Sequence, residues 1–213
     1  MANADRPGTL LLPFATPVLR LRPAGLDQAR EELVRAILDR RQREPSNTRS
    51  SRGGWQSTKN LHQWPEAAAQ KIAGVCTNDA ASALSKYYST SAPVTLQVDE
   101  CWANVNPQGS WNAPHTHDHV WAATYYLRSR APQGHMGALI LLNPLARNET
   151  FWQRSEISIE PEEGDLIVFS GGLNHFVEPN PTPELRIGLA FNFFARTATD
   201  GWRKLARIRE EKR

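Results

Sequence analysis

Three histidines lie within residues 114–119 of this 213-residue chain, and their spacing suits metal binding. Alternate residues of a β-strand point to the same face of a sheet. His115 and His117 can therefore converge on one ion, while Thr116 points away. A third histidine, His175, follows a glycine pair in a distant part of the chain. Two ligands from one strand and a third from a distant loop make a facial set, which leaves the other side of a metal open for substrate and oxygen.

The other polar residues near this cluster allow further interpretations. His119 shares the face of the first two histidines if the strand continues, so we expect it to contact a ligand or the substrate. Asp118 points to the opposite face of a regular strand and could ligate a metal only through a β-bulge. His135 is predicted in an exposed hairpin turn, and His62 is predicted at the surface. A solvated loop without any metal would also explain the cluster.

Arg186 begins an apolar strand that follows His175 in the chain. Burying a charged side chain is unfavourable unless an anion meets it. The planar guanidinium suits a carboxylate bound through two hydrogen bonds. Arg186 is therefore a candidate anion-binding residue, and a salt bridge with Glu184 is the structural alternative.

Before residue 93 the patterns predict one strand and two helices. A strand is predicted over 10–21, a helix over 26–43, a loop over 45–54, and a second helix that Pro65 opens and that ends near Tyr88. From residue 93 to 196 the chain changes to short strands with turn signals between them, which is typical of a sandwich, a barrel or a jelly roll. The predicted strands cover 94–98, 101–106, 121–127, 138–142, 157–159, 166–170 and 186–194.

These elements predict a single domain, 1–213, that is mainly β with flanking helices. Its parts are an N-terminal strand and helical layer (1–92), a β core (93–196) and a C-terminal helix (197–213). The 40% apolar content supports a real core, and no apolar segment is long enough to span a bilayer. Cys76 and Cys101 are too few for a disulfide framework, so we expect a cytoplasmic protein.

The charge balance gives little indication of a nucleic-acid partner. The formal charge is only +3, and much of the excess lies in the last residues, where a solvated helix face accounts for it. We therefore expect no nucleic acid and no membrane among the partners. A homodimer is compatible with the sequence.

The order of several short motifs resembles the 2-oxoglutarate/Fe(II) oxygenase superfamily, and more closely a bacterial and phage-associated group within it. Each motif is weak alone, but together they cover nearly the whole chain, from about Pro13 to Phe194. They are Gly-Gly-Trp-x-Ser (53–57), Trp-x-Asn (102–104), His-x-His (115–117), Tyr-Tyr (125–126), His-x-Val-x-Pro-Asn (175–180) and Arg-Ile-x-x-x-Phe-Asn (186–192).

The resemblance implies a double-stranded β-helix, the cupin-like form of the jelly roll, with an iron site in its mouth. Fe(II) would be bound by His115, His117 and His175, which are the expected catalytic residues. Arg186 would hold the far carboxylate of the cosubstrate 2-oxoglutarate, and O2 would be the oxidant. Asn104 and Tyr126 are further candidates for cosubstrate contacts, since their strands line the same mouth.

The sequence departs from the superfamily at two positions. His117 stands where a carboxylate ligand is usual, and Gly188 stands where a serine often assists the arginine. Because a bound histidine must be neutral, metal affinity is expected to fall as the pH drops through about 6.5.

The activity that the resemblance implies is hydroxylation of a small-molecule or peptidyl substrate with release of succinate and CO2. One alternative is a three-histidine iron dioxygenase that does not use 2-oxoglutarate, in which Arg186 would bind a substrate carboxylate. The other is a non-catalytic metal-binding β-barrel module.

Overall fold

The fold is mainly β, as predicted, with two antiparallel sheets and two long helices. The computed structural model describes residues 16–47, 49–88, 93–129, 137–145 and 155–197. The predicted C-terminal helix, the first half of the strand predicted over 10–21, and His135 lie outside the described residues.

Eleven strands form the two sheets of a jelly-roll core, and neighbouring strands pair antiparallel. The strands are β1 (Val18–Leu21), β2 (Ser51–Arg52), β3 (Trp55–Gln56), β4 (Val94–Asn106), β5 (Trp111–His115), β6 (Trp121–Arg128), β7 (Leu139–Leu142), β8 (Glu156–Ile159), β9 (Leu166–Ser170), β10 (His175–Val177) and β11 (Arg186–Thr197). One sheet has the order β1-β9-β6-β11-β4-β3, and the other has the order β2-β5-β10-β7-β8.

Both predicted helices are present and cover one face of the six-stranded sheet. They are α1 (Asp27–Arg43) and α2 (Ala67–Tyr88), and a short 3-10 helix (Leu61–Gln63) lies between them. Gly74 does not interrupt α2. A glycine inside a helix costs about 1 kcal/mol relative to alanine, and the buried face of α2 outweighs that cost. Among the described residues, no helix has the length and apolarity that a bilayer crossing requires.

Alternate residues of the long strands face two different environments. On β6, on β11 and on β4 from Cys101 onward, odd-numbered side chains such as Ala103, Tyr125 and Leu189 join the core cluster beneath the helices. Even-numbered side chains of the same segments, such as Asn104, Tyr126 and Arg186, line the space between the two sheets. A smaller apolar cluster lies there, and Tyr126 and Phe169 belong to it. The interior between the sheets is therefore where polar side chains of the core can meet.

Three strand predictions differ from the structure. The segments 94–98 and 101–106 are one strand, β4, in which the pairing with β11 shifts register between the two segments. Asp99 accepts a hydrogen bond from His119, and Glu100 from Lys59. The predicted loop at 45–54 contains β2, which pairs with β5. The prediction also missed β5 and β10, the strands that carry His115 and His175, and His117 lies just after the end of β5 rather than on the strand.

The strands before residue 93 take part in both sheets. β1 pairs with β9, β2 with β5, and β3 with β4. The sheets thus extend beyond the predicted 93–196 core into the N-terminal segment, although the predicted domain bounds themselves stay a prediction.

Candidate active site

Three histidine side chains meet between the two sheets. The ligand nitrogens of His115, His117 and His175 all lie within 4.8 Å of one another. Their ring centroids are 4.3 Å (His115–His175), 5.0 Å (His115–His117) and 5.1 Å (His117–His175) apart. Small ring rotations are enough to bring all three nitrogens onto one ion. We call this set the histidine triad.

Strand pairing brings the distant members of the triad together. β10 lies between β5 and β7, and His175 is directly opposite His115 in the register. Phe169 of β9 packs its ring edge against His175, with 4.8 Å between the centroids. His175 is consequently only 5% exposed. The pairing of two short strands thus joins residues that are far apart in the chain.

Gly171 holds the segment that carries His117. The backbone N–H of His117 donates to the carbonyl of Gly171 at 2.8 Å, and the N–H of Gly171 donates to the carbonyl of Val120 at 3.2 Å. A Cβ atom at Gly171 would collide with the carbonyl oxygen of His119. Only glycine allows the β9–β10 turn to approach the 117–120 segment this closely.

Backbone carbonyls determine which ring nitrogen is available in two of the histidines. Nδ1 of His115 lies 2.7 Å from the carbonyl oxygen of Ala113, and Nδ1 of His175 lies 2.8 Å from that of Leu173. A carbonyl oxygen can only accept, so each Nδ1 carries the proton. The lone pair of each Nε2 is then free to bind a metal.

Burial keeps the triad neutral. It lowers the pKa of His175 to about 4. Burial and the two neighbouring histidines lower the pKa of His117 to about 3. Burial also lowers the pKa of His115. A neutral imidazole is the form that binds a metal, so the triad is ready for a cation at neutral pH.

The cavity beside the triad is lined by even-numbered residues of β4, β6 and β11, and we call it the inner cavity. Its volume of about 50 Å³ suits a slender ligand. Arg186 lies in its wall, only 3% exposed. Nη1 of Arg186 donates to the carbonyl of Gly137 at 2.9 Å. Burial lowers the pKa of Arg186, and the nearby Tyr126 and Glu178 oppose this shift; an arginine nevertheless stays charged.

The tyrosine pair divides between the two environments. Tyr125 faces the helices, whereas Tyr126 lines the inner cavity with Arg186. Burial raises the pKa of Tyr126 to about 12, so its hydroxyl keeps its proton. The buried Tyr126 Oη has no hydrogen-bond partner among the described residues. It is a donor aimed at the cavity.

Asn104 also lines the inner cavity, and its contact with the cosubstrate stays a prediction. Its Oδ1 accepts a hydrogen bond of 2.7 Å from Nε2 of Gln56. Gln56 and Asn106 line the cavity too, although sequence reasoning did not select them. Gln56 lies inside the Gly-Gly-Trp-x-Ser motif, and this motif could have indicated Gln56 as a cavity residue.

The remaining candidates lie elsewhere. Asp118 is exposed and does not belong to the triad, although its neighbour His117 does. His119 turns to Asp99, with 2.7 Å between Nε2 and Oδ2. His62 is partly buried at an outer pocket beside α2. A Cβ atom at Gly188 would lie 3.3 Å from the carbonyl oxygen of Tyr125, so a serine there would be crowded.

These residues fit the Fe(II) and 2-oxoglutarate that the sequence implied. Three neutral imidazoles with convergent nitrogens suit a divalent transition metal. The buried guanidinium of Arg186, together with the Tyr126 hydroxyl, which has no hydrogen-bond partner among the described residues, suits a carboxylate at the far end of the same cavity. The assignment of each residue to a ligand remains a prediction.

Comparisons with known proteins agree with this arrangement. Residues 100–192 match the model of the family described as "Putative 2OG-Fe(II) oxygenase". No curated protein matches the chain. Solved structures with the same fold include a Pseudomonas putida prolyl-4-hydroxylase, with a TM-score of 0.58, 18% identity, and coverage of 84% of this chain and 92% of the other.

Two further similar structures show the range of partners in this fold. A prolyl hydroxylase from Trichoplax adhaerens, in complex with a hypoxia-inducible-factor peptide, has a TM-score of 0.58 and 18% identity, with 83% of each chain covered. HygX from Streptomyces hygroscopicus, with nickel, 2-oxoglutarate and hygromycin B bound, has a TM-score of 0.57 and 13% identity, and covers 84% of this chain and 83% of its own. The matched segment 100–192 contains His115, His117, His175 and Arg186, so the part of the chain that forms this site is the part that is similar to the 2-oxoglutarate/Fe(II) oxygenases.

Proposed function

We propose that this enzyme hydroxylates a small-molecule or peptidyl substrate and converts 2-oxoglutarate to succinate and CO2. The observation that carries the proposal is the shared cavity: the triad and Arg186 line the same inner cavity between the sheets. One end can hold a metal and the other can hold a carboxylate. A cosubstrate that is both a chelating 2-oxo acid and a distal carboxylate matches both ends.

The residues of the chain would divide the work as follows. His115, His117 and His175 would hold Fe(II), with the tautomers of His115 and His175 set by the carbonyls of Ala113 and Leu173. When bound, Fe(II) supplies the oxidative chemistry, in which O2 and 2-oxoglutarate give succinate, CO2 and a hydroxyl group on the substrate.

At the far end of the cavity, Arg186 would bind the distal carboxylate through its guanidinium, and the Tyr126 hydroxyl would donate a further hydrogen bond. Asn104 would orient the chain of the cosubstrate, since its own amide is held by Gln56. The apolar residues of the same lining, among them Leu139 and Phe169, limit the entry of water. Binding and orientation are the main contributions of the protein to such a reaction.

The neighbours support both kinds of substrate. One similar structure holds a peptide fragment and another holds hygromycin B, a small molecule.

The test is turnover of 2-oxoglutarate by the iron-loaded protein. Purified protein should bind about one Fe(II) per chain without oxygen, and then bind 2-oxoglutarate. On admission of O2 it should form succinate, and the true substrate should raise the rate. His175→Ala should remove tight iron binding and succinate formation together, because it deletes the most buried ligand.

Other outcomes would identify the rival functions. Oxygen uptake with a substrate but without succinate would indicate a three-histidine dioxygenase that does not use 2-oxoglutarate. Metal binding with no oxygen uptake under any of these conditions would indicate a binding module.

A further inference from the structure

A second cavity adjoins the triad on the side of the β2–β3 segment (residues 49–56), and we call it the outer cleft. Its volume of about 330 Å³ falls in the range of small-molecule sites. Trp102, His115 and His117 line both the outer cleft and the inner cavity. A ligand in the outer cleft would therefore lie next to the triad without occupying the cosubstrate's place.

The charges that line the outer cleft have one sign. Arg49, Arg52 and Lys59 line it, and none of its described lining residues is acidic. The chain as a whole has 25 basic and 22 acidic residues, so a generally basic surface does not explain this bias. A cleft lined by one sign of charge concentrates ligands of the opposite sign.

Two of the three cations are available to a ligand. Lys59 is paired with Glu100, with 2.6 Å between Nζ and Oε2. Arg49 and Arg52 make no ion pair with any residue that the structure describes, and both side chains are exposed. Nη1 of Arg52 donates to the carbonyls of Arg49 and Ser51, at 3.0 and 3.1 Å. The rest of its five N–H donors remain for a ligand.

The β2–β3 segment that carries these arginines is attached to both sheets. β2 pairs with β5 of one sheet, and β3 pairs with β4 of the other. A Cβ atom at Gly54 would lie 2.7 Å from Oδ1 of Asn106 and 2.9 Å from the carbonyl of Val105, so glycine allows this close packing. The side chain of Gln56 accepts a hydrogen bond from the backbone N–H of Arg49 at 3.2 Å. The Gly-Gly-Trp-x-Ser motif thereby sets the arginines beside the triad.

We propose that the outer cleft binds an anionic group of the substrate, a carboxylate or a phosphate, through Arg49 and Arg52. The remainder of the substrate would lie along Trp102 and Pro114, which also line the cleft, and would present its reacting carbon towards the triad. This inference rests on the proposed oxygenase function, since it assigns the substrate class of the same site.

The experiment compares matched ligands that differ only in charge. Wild-type protein is loaded with Fe(II) and saturated with 2-oxoglutarate without oxygen, so that the inner cavity is filled and no turnover occurs. Calorimetry then gives the Kd of N-acetyl-aspartate against N-acetyl-asparagine, and of phenyl phosphate against phenol. At least one acid should bind about tenfold or more tightly than its neutral partner, as hydrogen bonds to charged groups allow. The pair that shows the preference separates carboxylate from phosphate.

Two double variants of equal charge complete the test. Arg49→Gln with Arg52→Gln should abolish the preference while the affinity for 2-oxoglutarate stays unchanged. Arg35→Gln with Arg41→Gln removes the same charge from α1, which packs on the far face of the six-stranded sheet, and should keep the preference.

Three results would overturn the proposal. They are an equal affinity for acid and neutral ligands, a preference that survives the loss of Arg49 and Arg52, and an equal loss of preference in the α1 variant. Failure of the wild type to bind Fe(II) or 2-oxoglutarate would instead overturn the proposed function, and it is detected at the loading step before any anion is added.

Discussion

The two faces of the six-stranded sheet are built from alternate residues of the same strands, yet they serve different purposes. The face beneath the helices carries Ala103, Tyr125 and Leu189 in a continuous apolar cluster. The face towards the other sheet carries Asn104, Tyr126 and Arg186. Because successive strand residues point to opposite sides, a single register determines both faces. Stability and chemistry are thereby placed one residue apart.

The inner face is unfavourable for the folded state by itself. Tyr126 Oη and Asn106 Oδ1 are buried without a hydrogen-bond partner among the described residues. Each such group costs about 1–3 kcal/mol in desolvation. The helix-covered face offsets this cost through apolar burial, at about 25 cal/mol per Å². Substitutions on the helix-covered face should therefore change stability, and substitutions on the inner face should change ligand binding.

The largest expected effect is on Fe(II) affinity, which should differ strongly between variants of the neighbouring residues His117 and Asp118. His117→Ala is expected to weaken Fe(II) binding by more than 100-fold, because altering even a residue that only supports a ligand costs about 10- to 100-fold. Asp118→Ala should leave binding intact, since Asp118 is exposed and outside the triad. Anaerobic Fe(II) titration measures both variants.

A variant on the other face provides the control for this contrast. Leu189→Ala should lower the free energy of unfolding by about 2–5 kcal/mol, while the folded fraction still binds one metal. If Asp118→Ala loses the metal and His117→Ala retains it, then Asp118 is the ligand in solution.

The next largest effect concerns Arg186. Arg186→Lys should weaken 2-oxoglutarate binding by about 2–5 kcal/mol, the usual effect of disturbing a buried charged pair. A lysine keeps the charge but cannot bind a carboxylate through two parallel hydrogen bonds. Isothermal titration of the iron-loaded protein without oxygen measures the change.

Arg20→Lys is the matched control for that measurement. Arg20 binds Asp165 through both Nε and Nη2, at 3.0 and 2.6 Å, and neither side chain lines the inner cavity. Its substitution should leave 2-oxoglutarate binding unchanged. Equal affinities of wild type and Arg186→Lys would assign Arg186 a purely structural role.

Acidification should also distinguish the two faces. The histidines of an unfolded chain take up protons near pH 6.5, whereas folded His175 and His117 do so only near pH 4 and 3. Between these values the unfolded state binds more protons, so the stability of the metal-free protein falls as the pH drops from about 6.5 towards 4. The titratable groups of the helix-covered face, Cys76 and Tyr125, have raised pKa values and do not contribute there.

Urea midpoints of the metal-free protein between pH 7 and 4.5 test this expectation. His175→Gln removes one of the titrating groups and should flatten the slope. A wild-type midpoint that does not change over this range would contradict the burial of the triad. The same pKa values move the expected loss of metal affinity from about 6.5, the ordinary histidine value, to a lower pH.

The sequence allowed the fold to be predicted where strand alternation is clear, and not where charges or short strands interrupt it. β6, β9 and β11 were predicted from apolar patterns. The break in β4 was predicted at Asp99 and Glu100 because their partners, His119 and Lys59, are distant in the chain. No local pattern reveals such a pairing.

More of the candidate site than of the structure around it could be predicted from the sequence. Residue type and spacing selected the three histidines and Arg186, and the structure brings them to one cavity. β10 was missed because it has only three residues, and two of them are not fully buried. The basic residues of the outer cleft were missed because their position depends on two short strands, β2 and β3, that pair with different sheets.

The smallest expected effect comes from Tyr125 and Tyr126, which are adjacent on β6 and face opposite sides of the sheet. Tyr126→Phe removes a buried hydroxyl that has no partner among the described residues, so the metal-free protein should be as stable as wild type or up to about 1 kcal/mol more stable. If that hydroxyl donates to the bound cosubstrate, the same variant should bind 2-oxoglutarate about tenfold more weakly, as expected for a hydrogen bond to a charged group. Tyr125→Phe acts beneath the helices and should leave 2-oxoglutarate affinity unchanged. Urea unfolding and anaerobic titration of both variants give the two numbers. A loss of stability in Tyr126→Phe without a loss of affinity would show that the hydroxyl serves the fold, and the division between the two faces would then fail at this residue.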